Sequence, residues 1–428
     1  MKHLSIFQTV LLSVFGALAI SGVLIFALAV GGNQESPVGP VSIWGTLDAK
    51  AFAAAIEKAA GADARFAQVT YVEKDPTTYE ADITNALANG GGPDLFLLRQ
   101  DYIMRDKGKV IPVAPESLSS TQFKATFIDA ANTFDTAVGA LGYPLFVDPL
   151  ILYWNRDLLA SGGFAKPPAY WEELSDMTQK LTKRSDSGTI LKSTIALGEY
   201  TNVTNAKSIL SVRILQEGGS ITERDQDGRL TPAFATGTST ESALSFYTQF
   251  ANPANNAGYT WNRSLPDART AFAAGDTALY IGYVSEAPMI AQMNPNLSFA
   301  VAPLPQIRGR DRAVNTARVY ALAVSRAGEN QNGAKVVAPL FASPSIAKDI
   351  GDVLGIPSAL RDVLSEPAEG NGALFNKEAI IARSWLDPDP EKTSAIFRAM
   401  IERVTSGAMR LSDAIQRADQ EMAQVIGQ

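Results

Sequence analysis

Between Leu141 and Leu174 the chain reads LGYPLFVDPLILYWNRDLLASGGFAKPPAYWEEL, an apolar strand broken by Pro144 and Pro149. Proline has no amide hydrogen to donate, so neither residue suits the middle of an ordinary central strand. A strand that crosses from one lobe of a protein to another tolerates both. Behind it come Asn155-Arg156-Asp157, a short helical run ending at Gly162-Gly163, the pair Pro167-Pro168, and a new helix from about Tyr170.

The segment ahead of this crossing alternates strand and helix. Val41 to Trp44 reads as a strand, Asp48 as an N-cap, Ala49 to Ala60 as a helix, Phe66 to Val72 as a second strand, Thr78 to Ala88 as a helix and Leu95 to Leu98 as a third strand. That order predicts a parallel sheet with right-handed crossovers, in which ligands sit beyond the carboxyl ends of the strands. Trp44, Thr46 and Asp48 follow the first strand, and Arg99 and Asp101 follow the third, so these are the first candidate binding residues; strand alternation also allows Trp44 a place in the core. Gly90-Gly91-Gly92 leads into a strand and lacks a following Lys-Ser/Thr, which makes it a turn and not a phosphate loop.

A chain of 428 residues, 46% hydrophobic and 19% charged, buries a large core and is long enough for two domains. Its formal net charge of −7, with no basic patch, argues against nucleic acid as a partner. No cysteine is present, which removes disulfides, thiolate metal sites, cysteine nucleophiles and a lipid-modified cysteine anchor. His3 is the single histidine, so no histidine triad or histidine metal site belongs to the folded body. Neither a metal nor a cofactor is expected.

Lys2 precedes a run from Val10 to Val30 without a charged residue, long enough to cross a hydrocarbon core of about 30 Å as a helix. The choice lies between a retained anchor and a cleaved signal peptide, for which Ala27-Leu28-Ala29 offers a site. The length of the run favours the anchor. Residues 31–40 read as an extracytoplasmic linker.

Further motifs follow in order. A helix from Ala206 to Gln216 ends at Gly218-Gly219. Arg224 to Gly228 carries acids at calcium-loop spacing, but the bidentate glutamate of such a loop is absent and a hairpin turn is the better reading. AFAAGDTALYIGYVSE from Ala271 presents Tyr283 and Ser285, and VYALAVS from Val319 brings Arg318 and Tyr320 to a second crossing. Trp154 and Trp171 read as packing residues, Trp385 and Phe397 are within reach of a cleft with packing the safer assignment, Tyr200 and Asn202 are weaker site candidates, and Leu411 to Ile426 has one apolar face.

The succession of an apolar strand, N-R-D-L, glycine, double proline and W-E-E-L, with GGPD before the third strand, FAVAPLP, VYALAVS and the final LSDAIQRADQEMAQVI, resembles the extracellular solute-binding proteins of ABC importers, the family that includes maltodextrin-binding protein. The resemblance runs from about Val41 to the end. It implies an α/β, two-lobed, type II periplasmic-binding-protein-like fold, with lobe 1 at 41–147 and 319–360 and lobe 2 at 148–318 and 361–428, hinged near Asp148 and Tyr320. It also implies that Asp101 corresponds to a ligand-binding aspartate and Asp148 to a carboxylate at the first crossing, while Leu98 stands where a member places a stacking tryptophan. The expected function is capture of a small solute, a sugar or oligosaccharide, by a monomer that delivers it to a permease outside the cytoplasm. The candidate ligand residues are Trp44, Thr46, Asp48, Arg99, Asp101, Asp148, Tyr283 and Tyr320. The alternatives are a carboxylate-based glycosidase and a sensor or adhesin on the same fold.

Overall fold

The computed structural model describes residues 36–255 and 257–427. The expected membrane-crossing helix at 10–30 lies outside them, and among the described residues no helix is long and apolar enough to cross a membrane. The end of the expected linker is docked, because Asn330 Nδ2 donates to the carbonyls of Val38 and Pro40 at 2.7 and 2.8 Å.

The first lobe opens as the alternation predicts: β1 (Val41–Gly45), α1 (Ala49–Ala60), β2 (Val69–Glu73), α2 (Tyr79–Ala88) and β3 (Leu95–Arg99), with β1 parallel to both other strands. A one-turn helix, α3 (Ile103–Asp106), follows. Beyond it Ser120–Thr126 is helical and Asp129–Phe134 is a 3₁₀ segment, separated by extended Phe127 and Ile128 that are buried.

The proline-bearing stretch is β4 (Tyr143–Asn155), almost wholly buried. The second lobe then adds α4 (Leu174–Leu181), β5 (Ile190–Ile195), α5 (Ala206–Gln216), α6 (Ser239–Thr248), α7 (Ala268–Ala273), β6 (Thr277–Tyr283) and β7 (Phe299–Ala302). The chain returns through β8 (Asn315–Ser325) and ends in α8 (Gln331–Phe341), α9 (Pro344–Leu354), α10 (Gly372–Ile380), α11 (Pro390–Thr405) and α12 (Leu411–Ile426). Asp225 Oδ1 accepts from the amides of Asp227 and Arg229, so the acidic segment is a hairpin turn.

One sheet runs through both lobes in the order β2-β1-β3-β8-β4-β6-β5. β8 pairs antiparallel with β3 through Tyr320–Val324 and with β4 through Ala317–Leu322, while β4 pairs with β6 through Leu150–Trp154. The two crossings are thus neighbours in one ladder, with Arg318 opposite Asp148 and Tyr320 opposite Phe146. A register shift between Tyr320 and Ala321 falls beside Pro144, where the missing donor would otherwise interrupt the ladder. At Gly142, φ is +138° and an added Cβ would meet the Leu322 carbonyl oxygen at 2.8 Å, which requires glycine where the crossing begins.

Trp171 is buried and donates to Gln216 Oε1 at 2.6 Å, as a packing residue of the second lobe. The segment after residue 360 stays with the first lobe longer than the motifs imply. Val363, Leu364 and Ala379 share a cluster with Phe123, Phe127 and Phe134, and Arg361 and Arg383 both pair with Asp129.

Candidate functional site

A cavity of about 720 Å³ lies between the lobes, within the range of small-molecule sites. Its first-lobe wall is the 3₁₀ turn Gln100–Tyr102 at the end of β3. Gln100 Oε1 accepts from the Val319 amide at 2.7 Å and ties this turn to β8. Arg99 donates from Nε and Nη2 to the two oxygens of Asp101 at 2.6 and 2.8 Å. Burial pushes the Asp101 carboxyl up, but the Arg99 guanidinium outweighs it and holds the group below its usual range.

The floor comes from the crossings. Arg318 on β8 lies with its guanidinium 3.8 Å from the centroid of the Tyr283 ring at the end of β6. Tyr283 is in turn fixed by a 2.6 Å hydrogen bond between its Oη and Ser208 Oγ on α5. On the same helix Lys207 donates to Asp387 Oδ2 and Thr393 Oγ1, each at 2.6 Å. Burial raises the Asp387 carboxyl despite that lysine.

Trp385, stacked on Phe397 with centroids 6.3 Å apart, lines the cavity together with Tyr102 and Tyr200. Ser211 and Ser384 border the cavity, while their hydroxyl oxygens are buried and have no hydrogen-bond partner among the described residues. At the rim Arg105 on α3 donates to Glu80 and to Glu391 at the first turn of α11, at 2.6 and 3.1 Å, and so joins one lobe to the other.

Of the residues expected from sequence, Arg99, Asp101 and Tyr283 line this cavity together. The other five do not. Asp48 caps α1 by accepting from the Lys50 and Ala51 amides. Trp44 is half-buried under Lys74 Nζ, 3.8 Å from its ring, with Thr46 in the loop beyond. Asp148 is fully buried and gives both oxygens to Ser285, at 2.9 Å to the amide and 2.6 Å to the hydroxyl. Tyr320 is buried one rung further into the first lobe, opposite Arg99 and Phe146. Asn202 donates to the carbonyls of Asn262 and Leu265 and holds a loop.

Sequence reasoning missed Lys207, Ser208, Asp387 and Arg398 and assigned Trp385 to packing. Lys207 and Ser208 are polar positions in the first turn of a helix whose other sides are buried, and Trp385 and Asp387 sit in an S-W-L-D-P-D-P run just before α11. No group of carboxylates and histidines suited to a metal occurs among the described residues.

The family model described as bacterial extracellular solute-binding protein matches residues 46–348. Three solved structures share the architecture. A cyclic alpha-maltosyl-1,6-maltose binding protein from Arthrobacter globiformis superposes with a TM-score of 0.73 at 16% identity, over 91% of this chain and 99% of that one. The sugar-binding protein MalE from Xanthomonas citri gives 0.70 at 17% identity over 91% and 97%. An ABC transporter solute binding protein from Thermotoga lettingae TMO, bound with alpha-D-tagatose, gives 0.68 at 20% identity over 91% and 100%.

Proposed function

Because the chain belongs to the family of bacterial extracellular solute-binding proteins, we propose that it captures a saccharide between its lobes and presents it to an ABC permease. The observation that carries this reading is the composition of the cleft wall. The aromatic side chains of Trp385, Tyr200 and Tyr102 stand among charged hydrogen-bonding groups, Arg99, Asp101, Lys207 and Asp387. Sugar rings offer weakly polar faces to aromatics and hydroxyl edges to such donors and acceptors. The sugar ligands of the similar structures agree with it.

Binding drives closure because a ligand touching both walls favours the form in which the walls are close. We assign the site to Arg99, Asp101, Tyr283, Lys207, Trp385 and Arg318, with residues 10–30 as the membrane anchor of an extracytoplasmic protein. We place the first lobe at 41–147 and 319–383 and the second at 148–318 and 384–427. Binding without hydrolysis is the preferred activity. A glycosidase needs one free acid and one free carboxylate, whereas Asp101 is held by Arg99, Asp387 by Lys207 and Thr393, Asp267 by Thr204 and the α7 cap, and Glu391 by Arg105.

Calorimetric titration of the full-length protein with a saccharide library tests the reading, with small-angle scattering to follow closure. A saturable heat with a contracted radius is expected. Release of reducing ends from an oligosaccharide, or no binding by any saccharide, would refute it.

A further inference from the structure

Asp101, Asp148 and Asp387 around the cleft floor are already engaged, and two lining cations make no ion pair among the described residues. Asp101 gives both oxygens to Arg99. Asp148, directly opposite Arg318 in the ladder, gives both to Ser285. Asp387 is taken by Lys207 and Thr393. Among the described residues Arg318 therefore makes no ion pair, although its guanidinium lies in the cavity wall, stacked on Tyr283.

Stacking occupies the face of the guanidinium and leaves its N–H edge for another group. An edge held in this way matches the two oxygens of a carboxylate or phosphate. Arg398, over the Tyr200 ring at 5.5 Å, is a second lining cation without an ion pair among the described residues. A neutral ligand that closes the cleft would strip water from both guanidinium groups and return no charge, which is costly in a desolvated site.

We propose that the cleft selects an anionic saccharide, one bearing a carboxylate or a phosphate, and that Arg318 is the residue that reads the charge. This inference rests on the saccharide reading above.

The test titrates the full-length protein with matched triplets: neutral hexoses and their oligosaccharides, the corresponding uronates, and the corresponding sugar phosphates. The expected result is that one anionic member binds about tenfold or more tightly than its neutral counterpart, as a charge-assisted hydrogen-bonded pair provides. The uronate and phosphate arms distinguish the two sources of the anion. Arg318→Gln should collapse the margin between anionic and neutral members, and Arg318→Lys should retain part of it. Arg398→Gln, remote from the sheet, gives a second measure should the Arg318 variants fold poorly. Neutral members binding as tightly as anionic ones, or an undiminished margin in the Arg318→Gln and Arg398→Gln proteins, would overturn the inference while leaving the saccharide reading standing. Silence across the whole library would overturn both.

Discussion

Replacing Asp148 by asparagine tests the electrostatics of the crossing directly. The Asp148 carboxyl is fully buried, and that burial pushes its pKa from 3.8 up to about 6 against the opposing pull of Arg318 and of two hydrogen bonds from Ser285. A carboxylate raised on folding binds its proton more tightly in the native state, so stability falls as pH rises from about 4 to about 6 and the cost is complete above that. A difference of about 2 units at about 1.4 kcal/mol each sets an upper bound near 3 kcal/mol. Asparagine carries no charge to desolvate, and it keeps both contacts by accepting from the Ser285 amide and donating to the Ser285 hydroxyl. Asp148→Asn should therefore be more stable than the parent by about 1–3 kcal/mol at pH 8 and little changed at pH 4. Urea denaturation at the two pH values measures this. A variant equally destabilised at both would refute the reasoning, because it would mean that the charge is favourably held by Arg318 throughout.

Lys207→Met leaves Asp387 buried without its cation and should destabilise the protein by about 3 kcal/mol; denaturation would detect this, and a loss below about 1 kcal/mol would show that Thr393 alone suffices. Glu391→Gln weakens the rim contact with Arg105, whose partner is largely exposed, so only about 0.2–1 kcal/mol is at stake. Scattering on the ligand-free protein should show a modest shift toward the open form, with no shift if the contact is idle.

The repeating strand-helix units of the first lobe were legible because their apolar runs, caps and glycine turns act locally. Ala49–Ala60 and Ala206–Gln216 were read to the residue for that reason. The crossings were legible through Pro144 and Pro149, which no interior strand of a simple sheet accommodates. The site was legible where it follows from topology, at Arg99 and Asp101 beyond β3, and through the resemblance at Tyr283. It was not legible where the choice depends on which neighbour satisfies a side chain. Asp148 is consumed by Ser285, which lies 137 positions away, while Lys207 and Trp385 become cleft residues only when α5 and the start of α11 converge. Arg318 and Tyr320 sit on the same strand face, and depth along β8 decides that the first reaches the cavity and the second does not.

The strand shared by the two lobes has a mechanical consequence. A molecule whose halves are tied by loops swings freely and melts in two stages, but here both halves share β4, whose Tyr143–Pro149 part pairs with β8 and whose Leu150–Trp154 part pairs with β6. Motion between the halves is then a torsion of paired strands, limited in amplitude and elastic in return. Heating should dissolve both halves in one calorimetric peak, since β4 supplies a strand to each.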